Sequence, residues 1–560
     1  DNLYLDLNCG IHYCCRQIIK DGYNKNKKDI IEKKMIENII SYINTLVDYS
    51  NPQKMLFIAV DGPAPKSKMS QQRMRRFKTF YERKELKKIE QKNNIEKPVG
   101  DVWDTNAITP GTEFMDKLHK KVINYYSNEK NRKEYCDKHF NPDLKVLYSS
   151  YHTPGEGEHK ILQDLKNRYN ENNKESIAIY GLDADLIFLA MSSNRNNIYL
   201  VREESEISNK KNEDPDNVAE NLLYVDMDDT MNNLNNGIKS KIFDYLDDEN
   251  VKLTSELSKT INNLNYINDY ILICYLLGND FLPHFYSLDL RRGGMEIIIE
   301  NYVKNLIKNN FNLMIEKKDK ININNKIFID FIKFLSDSEF DFLKNKLHHL
   351  IDIEKNRTRC FEKEPYKIEI WKKENLIGEK IEDKILLGKG DKEDWKERYY
   401  KYIGSEENRE EYIKKLSENY LQGIIWTANY YMDKCIDWRW QFNFTHPPLM
   451  EDFYRYLESN FLDDKNFNKI EFLNRESLPI FVQLTSVLPP KFNYLLPKNY
   501  RYLSTSEDSA VIDMFPIEYK VDKIYKSKLY QCVPIIPNLN IERILNEIKD
   551  LKLTSFEKLI

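Results

Sequence analysis

Short apolar runs that stop at a carboxylate recur along the first half of the chain. Ser176 to Tyr180 is too short for a helix and has the Ile spacing of a core strand; Asp183 and Asp185 follow it, and Leu186 to Met191 resumes as an apolar helix. Asn2 to Leu7 is strand-like and delivers Asp6, ahead of a helical Gly10 to Lys20. Lys54 to Val60 is a further apolar run, ended by the turn signal Asp61-Gly-Pro63. Val146 to Ser149 reads as a strand, followed by Thr153-Pro-Gly-Glu-Gly-Glu-His159 and a helix to about Tyr169; Asn197 to Arg202 completes the set of strands. Between them, Ser67 to Asn93 reads as one long polar helix and Thr109 to Tyr126 as another, while the apolar helix Tyr266 to Leu277 stops at Gly278-Asn-Asp280.

Strands alternating with helices predict an α/β fold: a mostly parallel sheet with helices on both faces. This first domain is expected over 1–300. Within it, Glu203 to Ser258, rich in Asn, Asp and Lys, reads as an irregular, partly helical insertion. Residues 301–413 read as a helical connecting region with amphipathic stretches such as Phe328 to Leu335. Residues 414–560, where Trp426, Tyr430, Tyr431, Trp438 and Trp440 crowd together, read as a second lobe closing on the first.

Composition narrows the class. With 41% hydrophobic residues and no apolar run near the roughly 18 residues of a membrane span, no membrane partner is expected. Lys+Arg 85 against Asp+Glu 89 leave local charge to decide any nucleic-acid role. Eight cysteines without a CxxC pair read as reduced thiols in an intracellular compartment, cytoplasm or nucleus, and protein partners are not legible. The chain opens on Asp1, so its natural start is expected upstream.

A single strand-end Asp can simply cap the following helix, and a Glu in a first helical turn is favoured by the helix dipole. Seven acids at element ends, Asp6, Asp61, Glu156, Glu158, Asp183, Asp185 and Asp280, are harder to explain that way. Open α/β sheets present such ends to a crevice. Carboxylates gathered there suit Mg²⁺ or Mn²⁺, and two such ions clamp a phosphodiester for hydrolysis. On the helix from Ser67, Lys68, Gln72, Arg75 and Arg76 fall within an arc of about 100°. Such a face is commonly just solvated, but seven residues beyond Asp61 it can also hold a terminal phosphate. His12, Trp438 and Trp440 are candidates for base stacking, against the ordinary reading of aromatics as core.

In order and content, Asn2-Leu-Tyr-Leu-Asp-Leu-Asn8, Asp61 to Phe77, Ile108 to Met115, Thr153 to Lys160, Tyr180-Gly-Leu-Asp-Ala-Asp-Leu186 and Leu277-Gly-Asn-Asp-Phe-Leu-Pro283 resemble the XRN 5′→3′ exoribonucleases. The resemblance continues through Trp426 to Trp440, His446-Pro-Pro and Leu488-Pro-Pro. It implies a PIN-like, flap-endonuclease-related domain and two Mg²⁺ ions, replaceable by Mn²⁺, held by the seven acids. It further implies a 5′-monophosphate pocket at Lys68, Gln72, Arg75 and Arg76, and a base held by His12 and a tryptophan, taken as Trp438 over Trp440. The implied activity is processive hydrolysis of single-stranded RNA bearing a 5′-monophosphate; a structure-specific DNA flap endonuclease and an inactive RNA-binding scaffold are the rivals. Asn8-Cys9-Gly10 departs from the family pattern, with Cys9 intruding where tighter packing is expected.

Overall fold

The computed structural model describes the chain except residues 21–27, 96–102, 129–142, 170–173, 204–221, 318–319, 406–407, 463–465, 555–556 and 559–560. Six strands form its main sheet: β1 (Asn2–Asp6), β2 (Met55–Ala59), β3 (Lys145–Ser149), β4 (Ile177–Tyr180), β5 (Ile198–Glu203) and β6 (Leu222–Asp226). Their spatial order is β3-β2-β1-β4-β5-β6. The first five are parallel, and β6 runs antiparallel to β5. β1 and β2 are buried along their whole length, which is why they read as continuous apolar runs rather than alternating ones.

Alternate side chains enter separate cores on the two faces. Leu3, Leu5, Leu56 and Ile58 pack with α1 (Leu7–Lys20), α2 (Lys28–Ser50) and, beyond the long helix α3 (Lys66–Lys92), with α4 (Glu113–Ser127). Tyr4, Phe57, Ile177 and Ile179 pack on the other face with α5 (Gly157–Arg168), α6 (Asp185–Ser192) and α7 (Met227–Asp248). The chain runs outward from β1 through β2 to β3, then returns to β4 on the other side of β1, so the strand order reverses between β1 and β4. A crevice beyond the carboxyl ends is expected at that point.

One expectation holds in part. The stretch from Glu203 to Ser258 is partly helical, through the 22-residue α7, but where it is described it is more regular than expected and also contains the edge strand β6. β6 escapes a pattern search because its edge position leaves Leu223 and Tyr224 exposed. α7 buries Met227, Ile238, Ile242 and Leu246 and packs Met231, Leu234, Phe243 and Tyr245 partly against the core, with Asn and Asp interspersed among them.

The core on the α5 face continues through α8 (Ile267–Cys274), α9 (Asn325–Asp341), α10 (Arg409–Met432) and α11 (Met450–Phe461). α10 is tied directly to the first helices. Lys166 Nζ donates to the carbonyls of Met432 at 2.7 Å and Asp433 at 2.8 Å, and Ser192 Oγ donates to Tyr431 O at 2.8 Å. On the other side α12 (Ile480–Val487) packs on α3, where the buried Arg73 donates to Ser486 O at 3.1 Å.

Candidate active site

All seven acids lie at the carboxyl edge of the sheet or on the turns beside it. β1 ends at Asp6; Asp61 lies two residues past β2, where its backbone N–H donates to Asn8 Oδ1 at 3.2 Å and links the two strand ends. Glu156 is the N-cap of α5 and Glu158 lies in its first turn. The first amide of that helix, Gly157 N–H, donates to Asp61 Oδ1 at 2.8 Å. A Cβ at position 157 would stand 2.4 Å from Asp6 Oδ1, so only glycine lets α5 begin against Asp6. Asp183 and Asp185 follow β4 at the start of α6, and Asp280 follows the 3-10 turn Tyr275–Leu277 that extends α8.

Among the described residues, two groups of side chains could hold a metal ion, each with its potential ligand atoms within 4.8 Å of one another: Asp6, Cys9 and Asp183, and Glu156, Glu158 and His159. Lys68 links Asp280 to the second group, placing Nζ 2.7 Å from both Glu156 Oε1 and Asp280 Oδ2. Gln71 Nε2 also donates to Asp280 Oδ1, at 3.2 Å.

The electrostatics register this crowding. Burial, then the charges of Asp61, Asp183 and Glu156, hold the Asp6 carboxyl well above its usual range. Burial likewise raises Asp61 and Asp185. Glu158 is raised well above its ordinary value by burial and then by Glu156. Glu156 is pushed up to about 7 by burial and Asp61, against the opposing pull of Lys68. Burial, then Asp6 and Asp183, also push the Cys9 thiol up. Asp6 Oδ1 and Glu158 Oε2 are buried without any hydrogen-bond donor. Carboxylate oxygens that repel one another and lack donors fit a hard divalent cation.

The wall opposite the sheet is aromatic and comes from α10. Tyr430 donates its hydroxyl to Glu156 Oε2 at 2.7 Å, and Tyr431 to Asp185 Oδ2 at 2.5 Å. Tyr430 also covers the His159 ring, with centroids 3.6 Å apart. Sequence reasoning placed these tyrosines in a crowded aromatic stretch but missed their attachment to the acids, which are 274 and 246 residues away. It also missed His159, although that residue adjoins Glu158.

The basic face of α3 divides. Lys68 points into the acids. Arg76 is almost enclosed, donating to Thr109 Oγ1 at 2.8 Å, while burial and the neighbouring Arg75 push it down to about 9. Gln72 is half-buried with Oε1 unpartnered, and Arg75 is exposed. His12, half-buried on α1, faces this end: burial, then Arg16, Arg75 and Arg76, push it down to about 4. The tryptophans separate as well. Trp440 is 7% exposed and stacks on Trp426 at 5.3 Å, a core position. Trp438 is half-buried over the 153–157 turn, where a Cβ on Gly155 would lie 3.8 Å from its ring.

Family models match nearly all of this architecture. The XRN 5′-3′ exonuclease N-terminus matches residues 1–204, and the Xrn1 helical domain matches 260–349 and 344–558. The chain belongs to the XRN family. Strands β1 to β5, Lys68 and the acids through Asp185 lie in the first match, and Asp280, Tyr430 and Tyr431 in the second. Among curated XRN relatives, 5′-3′ exoribonuclease 1 of Homo sapiens is 28% identical over 97% of this chain and 32% of its own length. That of Schizosaccharomyces pombe is 27% identical over 100% and 47%, and 5′-3′ exoribonuclease 2 of Candida albicans 25% over 98% and 68%. The chain therefore spans only about a third to a half of the first two. Among the described residues, no helix is long and apolar enough to cross a membrane.

Proposed function

We propose that this XRN chain is a processive 5′→3′ exoribonuclease that hydrolyses single-stranded RNA carrying a 5′-monophosphate. The observation that carries the reading is the convergence of seven carboxylates, drawn from β1, β2, α5, α6 and the turn after α8, beside the basic end of α3. Asp6, Asp61, Glu156, Glu158, Asp183, Asp185 and Asp280 would hold two Mg²⁺ ions, for which Mn²⁺ can substitute. Bound there, such ions supply a water acidified toward neutrality and stabilise the leaving oxygen.

The chain's own residues supply position. Tyr430 and Tyr431 fix the rotamers of Glu156 and Asp185 from above. Gln72, Arg75 and Arg76, with Lys68 at the edge of the acids, bind the terminal phosphate; Arg76 is pre-set by Thr109, so little side-chain entropy remains to be lost. His12, neutral at physiological pH, and the accessible Trp438 take the faces of terminal bases. The enclosure formed by α3 and the aromatic wall admits one strand with a small end group, and each cut creates a new 5′-monophosphate for the same pocket. The acting compartment is intracellular.

The test offers Mg²⁺ and protein to RNAs with monophosphate, triphosphate or hydroxyl 5′ ends, beside a DNA flap substrate. Rapid decay of the monophosphate RNA alone supports the reading. Preferential incision of the flap would replace it with a structure-specific endonuclease, and binding without turnover with a scaffold.

A further inference from the structure

Cys9 puts a sulfur among the acids, in the segment where this chain departs from the family pattern. Its Sγ–H donates to Asp6 Oδ2 at 3.9 Å, and one potential ligand atom from each of Asp6, Cys9 and Asp183 lies within 4.8 Å of the others. With metal–sulfur and metal–oxygen bonds of about 2.3 and 2.0 Å, two ligands on a tetrahedral ion stand about 3.5 Å apart. The Cys9 to Asp6 separation is within a few tenths of an ångström of that. Asp6 is 4% exposed, and while Oδ2 accepts from Cys9, Oδ1, on the side of Gly157, has no hydrogen-bond donor, so this buried carboxylate keeps one oxygen free for a cation. Asp183 is exposed and Cys9 half-buried, which leaves an ion a route inward. The second group, Glu156, Glu158 and His159, is wholly buried, with its imidazole under Tyr430.

The geometry points to a thiophilic-metal site formed by Asp6, Cys9 and Asp183, which takes Zn²⁺ or a similar borderline ion and thereby inhibits the enzyme. Mg²⁺ demands an octahedral shell of oxygens and gains nothing from sulfur, whereas Zn²⁺ accepts a tetrahedral set of one sulfur, two carboxylates and a water. Binding forms a metal–sulfur bond, breaks the Sγ–H bond and releases that proton to solvent; no electron moves. The inhibitory part rests on the proposed nuclease reading, because an ion seated here occupies two of the carboxylates assigned to Mg²⁺. Binding itself does not depend on that reading.

The experiment uses the full chain under reducing conditions in excess Mg²⁺, with Co²⁺ as the spectroscopic probe and Zn²⁺ as the inhibitor. Wild-type protein should develop a thiolate-to-cobalt charge-transfer band in the near ultraviolet that is absent from Cys9→Ala and Cys9→Ser, the two variants checked for folding by circular dichroism. The Zn²⁺ concentration that halves RNA hydrolysis should rise at least tenfold in both variants. No band in wild type, or a band retained in both variants, overturns the site; an unchanged Zn²⁺ requirement overturns the inhibitory role. Because the band is read without RNA, a protein that shows it and hydrolyses nothing contradicts the nuclease reading alone.

Discussion

The crowded acids should make stability without divalent cation fall as pH rises, the reverse of the usual behaviour of carboxylates. Glu156 carries the clearest share. Its value moves from 4.5 unfolded to about 7 folded, so between those limits the folded chain holds a proton that the unfolded chain has released. Stability is then full below about 4.5 and declines through about 7. Converted at about 1.4 kcal/mol per tenfold, Glu156 alone accounts for about 3 kcal/mol above pH 7. Asp6, Asp61, Glu158 and Asp185 act in the same direction. For 560 residues unfolding together, that share corresponds to a melting shift of roughly 2–3 °C. Divalent cation reverses the loss, adding about 2.7 kcal/mol at a hundredfold excess over its dissociation constant. Scanning calorimetry at pH 5.5 and pH 8, with chelator or Mg²⁺, reads both effects. The increment due to Mg²⁺ should be small at pH 5.5, large at pH 8, and reduced in Glu156→Gln. An increment equal at both pH values, or unaltered in Glu156→Gln, would refute the shared cation cage.

Other consequences concern single groups. Tyr430→Phe removes a hydrogen bond that favours ionised Glu156, so the acidic limb of the pH–rate profile should move to higher pH; an unmoved limb contradicts the contact's role. Arg75→Ala combined with Arg76→Ala should erase discrimination between phosphate and hydroxyl 5′ ends in competition assays, and Arg75→Ala, exposed and therefore safe for folding, should weaken it roughly tenfold; preserved discrimination removes the pocket. Trp440→Ala should lower stability by about 3–5 kcal/mol, as a core aromatic does. Trp438→Ala should instead shorten processive runs on long RNA with little change in melting, and the opposite pattern would exchange their assignments.

The strands were legible because β1, β2 and β4 are so buried that nearly every position must be apolar, and each run ends abruptly at a polar turn. The acids were legible for a related reason: a carboxylate just beyond a buried strand has only the crevice to face. Less of the surroundings could be read. Leu222–Asp226 pairs along one edge alone and keeps two apolar side chains in water, so burial imposes no pattern on it. Lys68, placed by helical spacing beside Arg75 and Arg76, turns into the acids because Glu156 and Asp280 are brought beside it by elements far along the chain. Tyr430 and Tyr431 sit in an aromatic stretch in which sequence does not distinguish core packing from hydroxyls aimed at carboxylates; only the docking of α10 on α5 and α6 decides it.

The most direct measurement follows body-labelled RNA with a 5′-monophosphate through its products, using wild-type protein and Asp183→Ala in Mg²⁺. Wild-type protein should release nucleoside 5′-monophosphates one at a time from the 5′ end, and the variant, which still binds the RNA, should release them at least a hundredfold more slowly. Oligonucleotide products from internal cuts, or mononucleotide release by Asp183→Ala at the wild-type rate, would contradict the nuclease reading.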